Sequence, residues 1–262
     1  IGGLAVGVSS IAAPIYISEI STSKNRGSLG TLFQLSLVFG MLIAYLSNYL
    51  LTGFQGVSDW RWMLGIEALP ALMYLILTFF IPDTPRWQTL FEKNDNAALK
   101  TLKQIYDNDQ QAENVLNQIK SADRNSFSNE KLINKTNSKI IILAFLISFF
   151  NQLSGINFIL YYAPEILEMA GFGTRASLFN SVLIGVIMII FTFLGLLLID
   201  RLGRRQLLIL GSLGYIISLI GVSMSFYFQS SPEWIAFNIF AFIASHSVGQ
   251  GAVIWVFISE IF

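Results

Sequence analysis

The sequence contains no cysteine, which removes disulfide frameworks and thiolate chemistry and leaves the redox compartment undetermined. Histidine occurs once, at position 246. A lone imidazole without clustered partners suits a packing or hydrogen-bonding role better than a metal site. Charge is also scarce: 12% of residues are Asp, Glu, Lys or Arg, about half of what a soluble domain carries. The formal net charge is zero, which argues against a nucleic-acid partner. The chain opens on Ile1 without a charged n-region or cleavage site, so no signal peptide is read. It closes on Ser-Glu-Ile-Phe after an apolar run, and it reads as a piece of a longer chain.

What fills the sequence instead is apolar: 54% hydrophobic residues, with 22 Phe. Runs long enough to cross a bilayer, about 17–25 residues each, cover roughly 2–20, 29–53, 62–81, 140–163, 176–199, 206–228 and 234–259. Lys24 and Arg26 fall in the first connection, nine Lys and Arg from Arg86 to Lys139 in the third, and Arg201, Arg204 and Arg205 in the fifth. Arg61 and Arg175 alone fall in the second and fourth. Basic residues mark the cytoplasmic side. The first, third and fifth connections are therefore expected inside, with the chain starting outside and ending inside.

Within this apolar background, polar side chains stand out because lipid satisfies none of their hydrogen bonds. The densest group is Asn151 to Pro164. At 100° per residue, Asn157, Tyr161, Ser154, Asn151 and Tyr162 share an arc of about 140°, with Leu153, Ile156, Ile159, Leu160 and Ala163 opposite. Such a neutral, hydrogen-bonding face suits a neutral polyhydroxylated ligand. Gln152 falls outside the arc of a straight helix, but Ser154-Gly155 is a natural place for the helix to unwind and re-aim it. Gln34, inside the run from Leu32 to Phe39, needs a ligand or a polar partner helix. Glu67, beside Pro70, is an intramembrane carboxylate and so a functional candidate. An ion pair with Arg61 is the structural alternative.

Residues 82–137 form the one sizeable soluble stretch. Pro82-Asp-Thr-Pro-Arg-Trp87 punctuates its start. Asn96–Tyr106 and Gln111–Ile119 read as short amphipathic helices, with Leu99, Leu102 and Ile105 on one face. No nucleotide loop or metal cluster is present there, and about 56 residues is too few for an independent catalytic domain. Asp200-Arg201-Leu202-Gly203-Arg204-Arg205 links two spans by a tight charged turn. The last span contains His246, Gly249, Gln250, Gly251 and Trp255; the glycines make it deformable, and Trp255 is either a core aromatic or a stacking surface for a sugar ring. Tyr16-Ile-Ser-Glu-Ile20 and Phe257-Ile-Ser-Glu-Ile261 nearly repeat one another at two cytoplasmic helix ends, as two like-oriented halves would require. A membrane enzyme would need paired acids or a His/Glu cluster, and the later spans hold one acid and one His.

Gln152-Leu-Ser-Gly-Ile-Asn157 followed by Tyr161-Tyr162 resembles the signature of the sugar porter family of the major facilitator superfamily. So do Pro82-Asp-Thr-Pro-Arg-Trp87, Asp200-Arg-x-Gly-Arg-Arg205 and the two Ser-Glu-Ile strings with Arg26-Gly27, all in family order across the chain. The resemblance implies an all-α membrane protein, part of a twelve-helix fold of two pseudo-symmetric six-helix bundles. Residues 1–81 would be helices four to six, 82–137 the cytoplasmic helical linker and 138–262 helices seven to ten. It implies monosaccharide transport by alternating access in the plasma membrane, with no cofactor, no enzymatic activity and no nucleic acid. Gln34, Asn151, Gln152, Asn157 and Trp255 would bind the sugar. Tyr161 and Tyr162 would gate the outward side. Glu19, Arg26, Arg86, Asp200, Arg201, Arg204, Arg205 and Glu260 would form a cytoplasmic charge network. Asn151 departs from a usual Gln and Met188 from a common sugar-binding Asn, while Gln250-Gly251-Ala252 replaces a proline-rich stretch. Glu67 resembles a carboxylate of proton-coupled porters and favours sugar:proton symport over the alternatives, a facilitator and a non-transporting sensor.

Overall fold

The computed structural model describes residues 2–22, 26–54, 56–106, 108–126, 135–251 and 253–254. Its regular structure is helical: α1 (Gly2–Ile20), α2 (Arg26–Leu51), α3 (Asp59–Gly65), α4 (Ala68–Thr78), α5 (Pro85–Leu90), α6 (Asp95–Ile105), α7 (Asp109–Ser126), α8 (Lys135–Leu153), α9 (Ile156–Tyr161), α10 (Ala163–Met169), α11 (Thr174–Leu202), α12 (Arg204–Tyr227) and α13 (Pro232–His246), the last running into a π-helical turn, Ser247–Gly251. Six stretches among the described residues are long and apolar enough to cross a membrane: Gly3–Ile20, Leu32–Leu51, Gly56–Thr78, Ser138–Tyr161, Thr174–Ile199 and Arg204–Tyr227. The seventh expected span is represented by α13 and its π turn; its far end lies outside the described residues. The third span starts earlier than hydropathy placed it. Arg61 consequently sits within α3, its guanidinium 5.3 Å from the Trp60 ring centroid, rather than in a connection.

The chain divides into two compact units, residues 1–33 with 71–134 and residues 34–70 with 135–262. In the first, α6 and α7 close a small core of Ala98, Leu102, Ala112 and Leu116. Their boundaries follow from caps and pattern: Asn94 Oδ1 accepts from Ala97 N at 3.1 Å, satisfying an orphan donor of the first turn. The string Pro82–Trp87 proves to hold a helix start, α5, with Thr84 as N-cap and Pro85 in the first turn. Thr101 Oγ1 donates to Gln88 Oε1 at 3.1 Å and ties α5 to α6.

In the second unit, Val38, Ile156, Ile159, Leu160, Ala163, Leu167, Ile184, Met188, Ile239, Phe242 and Ile243 form one buried cluster. Small residues set the closest approaches. A Cβ on Gly211 would lie 2.7 Å from Gly249 Cα, and one on Gly214 would lie 2.5 Å from Ser245 Oγ. These glycines let α12 meet α13 and the π turn nearly backbone to backbone, as membrane helices do when dispersion rather than hydrophobicity drives packing. In both units large apolar side chains remain outward, among them Leu72, Met73 and Phe79 in the first and Ile217 and Phe237 in the second. A water-soluble protein would not expose so many, whereas lipid solvates them.

Candidate functional site

The helix that carries the polar arc is broken where expected. α8 ends at Leu153, Gly155 takes a left-handed conformation (φ +80°) and α9 begins at Ile156. Glycine adopts this φ without steric cost. Ser154 Oγ donates to Asn151 O at 2.6 Å, so a side chain caps part of the backbone freed by the break. Unwinding brings Gln152 onto the side of Asn157, whose Nδ2 donates to Gln152 Oε1 at 2.6 Å. Gln152 is exposed and Asn157 half-buried.

Asn151 has a different partner. Its Oδ1 lies 3.1 Å from His246 Nε2 on α13. His246 is buried and flanked by the rings of Tyr215 and Phe242, with centroids 6.5 and 6.2 Å away. One turn on, in the π-helical segment, Gln250 Nε2 donates to Ser212 Oγ at 2.9 Å and to Tyr215 OH at 3.3 Å. Its Oε1 is buried without a hydrogen-bond partner among the described residues. π turns of this kind widen a helix by one residue and recur at functional sites. Gln250 was absent from the sequence-derived site, although the argument that singled out Gln34, a strong hydrogen-bonding group in an apolar run, applies to it equally.

Gln34 itself is half-buried, and its Oε1 is likewise buried and unpartnered among the described residues. Tyr161 and Tyr162 are exposed, at 69% and 53%. The chain between them and the break is held by Tyr45 OH, which donates to Leu160 O at 2.7 Å. Met188 packs in the hydrophobic cluster and adds no polar group. Trp255 and Glu260 lie outside the described residues, as do the side chains of Arg26 and Asp200.

Glu67 is exposed and sits at the break between α3 and α4, two residues after Gly65 and three before Pro70. The Pro70 ring would clash with the Ile66 carbonyl of a continuous helix. Arg61 and Glu67 make no ion pair. Of the charged positions, Glu19 is half-buried, Arg86 is exposed on α5, and Arg201, Arg204 and Arg205 flank Gly203 (φ +80°), which joins α11 to α12 in one residue. The ion pairs seen among the described residues, Lys103–Asp109 at 2.8 Å and Lys120–Asp95 at 2.5 Å, both join α6 to α7.

A cavity of about 320 Å³ opens beside the break, lined by Gly155, Phe158, Ile159, Met169, Leu219 and Phe226 among others. Ser154 is its one polar side chain, already bonded to Asn151 O. With its proton engaged, that hydroxyl could only accept, and the other side chains of the lining are apolar, a poor match for a polyol. The amides of Asn151, Gln152 and Asn157 form the better candidate site.

Known proteins share both sequence and fold. The chain is 35% identical over 264 residues to the glucose transporter GlcP of Staphylococcus epidermidis, covering 99% of this chain and 58% of that one. It is 32% identical over 267 residues to the D-xylose-proton symporter of Escherichia coli, covering 100% and 54%. To the arabinose-proton symporter of Bacillus subtilis it is 35% identical over 271 residues, covering 100% and 58%. The chain thus spans a little over half the length of these curated relatives. The partially occluded inward-open xylose transporter XylE from E. coli superposes with a TM-score of 0.87 at 30% identity, covering 99% of this chain and 57% of XylE. XylE bound to 6-bromo-6-deoxy-D-glucose, described as a major facilitator superfamily proton:xylose symporter, gives 0.81 at 31%, covering 100% and 56%. The fold is accordingly the all-α, multi-pass membrane fold of the major facilitator superfamily, in a family of plasma-membrane transporters rather than enzymes. With residues 1–262 matched by the family described as sugar (and other) transporter, the chain belongs to that family.

Proposed function

We propose that the full-length protein carries a monosaccharide across the plasma membrane by alternating access, coupled to protons. The observation that carries this reading is the broken membrane helix at Gly155, which pairs the amides of Gln152 and Asn157 at 2.6 Å. Neutral, two-sided donor–acceptor groups in a low-dielectric setting match the alternating donors and acceptors of a sugar hydroxyl ring. Gln34, Asn151 and Trp255 complete the proposed binding set, and Tyr161 and Tyr162 the outward gate. Relatives named as glucose, xylose and arabinose carriers support the substrate class. Symport is favoured over facilitation because two of those three are proton symporters by name and Glu67 stands unpaired with Arg61 in an apolar span. Charge placement supports a cytoplasmic linker at 82–137 between the N-terminal part (1–81) and the C-terminal part (138–262). Glu19, Arg26, Arg86, Asp200, Arg201, Arg204, Arg205 and Glu260 are proposed to pair at the inner mouth and to part when it opens; such pairs need only modest net energy.

The test is counterflow of labelled pentoses and hexoses by the full-length protein in liposomes, with and without an inward proton gradient. Exchange of one sugar, with accumulation when the gradient is applied, is expected. Exchange without accumulation overturns the symport reading alone, and no exchange of any sugar overturns the transport reading.

A further inference from the structure

The polar groups of the second unit include one that sugar recognition through α8 and α9 leaves unused. His246 is 7% exposed, lies on α13 and meets Asn151 from a position 95 residues away in sequence. A charged imidazole in this apolar setting would be costly, so the ring is neutral and carries one N–H. Asn151 Oδ1 can only accept, so the shared hydrogen belongs to His246 Nε2. That bond holds one end of the Asn151 side chain, while Ser154 Oγ on Asn151 O holds its backbone. The His246 ring cannot swing away, because Tyr215 and Phe242 stand beside it and Gln250 in turn bonds Tyr215 OH. Asn151 is half-buried and its Nδ2 is left as a donor with two hydrogens.

We propose that His246 is the positioning residue for Asn151: by occupying Oδ1 it fixes the amide so that Nδ2 donates to one sugar hydroxyl, and this polarity sets which sugars the carrier selects. A free Asn could present either its oxygen or its nitrogen and would discriminate poorly between a hydroxyl that accepts and one that donates. A tethered Asn demands an acceptor at one place on the ring. The inference rests on the sugar-carrier reading above and adds to it a second helix, α13, acting through a residue that does not itself touch the sugar.

The experiment uses the full-length protein in liposomes. Counterflow first identifies the best of labelled D-glucose, D-galactose, D-xylose and L-arabinose, and competition by each monodeoxy analogue of that sugar then maps which hydroxyls matter. The unmodified carrier should discriminate against at least one analogue by roughly 3- to 10-fold, the size of one hydrogen bond. His246→Phe keeps the aromatic packing and removes Nε2; it should abolish the discrimination at that one hydroxyl, as should Asn151→Ala. The double variant should be no worse than either single one, because both remove the same interaction. His246→Gln, which retains an N–H donor, should restore discrimination at least in part. If His246→Phe keeps the full pattern of deoxy-sugar discrimination, or if the two single effects add, the proposal is wrong while the carrier reading stands. If the unmodified protein exchanges none of the four sugars, both fall together.

Discussion

At the scale of single residues, the candidate site depends on one backbone angle and a few amides. Gly155 sits at φ +80° with nothing within 4 Å of the place a Cβ would occupy. Gly155→Ala therefore meets no clash, and its cost is the left-handed conformation itself, roughly 1–2 kcal/mol. Straightening the helix relieves that strain and separates Gln152 from Asn157. Sugar affinity is expected to drop several-fold with only a small loss of thermal stability, which counterflow and a detergent melting curve would separate. Gln152→Ala strands Asn157 Nδ2 and removes a ligand contact, so affinity should weaken about tenfold or more. Unchanged affinity in the Gln152 variant would remove the broken helix from the binding site. Gln250 shows what a sequence reading cannot supply: its polarity in an apolar run was legible, but its partners, Ser212 and Tyr215, lie on a different helix, and nothing in the local pattern points to them.

At the scale of elements, the contact that positions the π turn is the meeting of Gly211 with Gly249. Each would place a Cβ 2.7 Å from the other's Cα, well inside van der Waals distance. Gly211→Val forces α12 from the π turn and breaks the Gln250 bonds to Ser212 and Tyr215. Overpacking of this kind costs about 1–3 kcal/mol, and a lowered unfolding midpoint in detergent is expected. An unchanged midpoint would mean that α12 can slide past the turn without loss. Periodicity located α6 and the long spans, because their apolar spacing is a local property, but only the first part of α7, which continues past Ile119 to Ser126 through polar residues that show no apolar period. It missed α5, whose six residues are too few to show a period and whose start is written instead in Thr84 as cap and Pro85 after it.

At the scale of the whole molecule, the proposed orientation follows from where Lys and Arg concentrate. Residues 1–262 contain no cysteine, so a thiol introduced among them is the sole one in that stretch, and with any cysteine elsewhere in the full-length protein replaced by serine it makes the orientation directly measurable. Glu113→Cys, exposed on α7, should react with a membrane-impermeant maleimide only from the cytoplasmic side, and Glu233→Cys, exposed at the start of α13, only from outside. The reverse pattern would invert the topology. Arg204→Ala should remove part of the proposed inner charge network and shift the carrier towards its inward-facing state while leaving sugar contacts in place. Equal labelling of a cytoplasmic-mouth cysteine with and without that change would count against the network.

The sequence by itself determined the spans, the unwinding point at Ser154-Gly155, the charged turn at Gly203 and the neutral polar face on one helix. Each of these depends on residues within a few positions of one another, where hydropathy, helical period and the freedom of glycine act directly. The start of the third span slipped by a few residues, placing Arg61 in α3, because Trp60, Arg61 and Trp62 are individually ambiguous at a membrane boundary. Only the tertiary structure decided that Asn151 Oδ1 meets His246 while Gln152 pairs with Asn157, that Gln250 is anchored on α12, and that Gly211 and Gly249 touch. Those contacts join helices distant in sequence, and they arise from how close two backbones can come, a quantity that no single helix encodes.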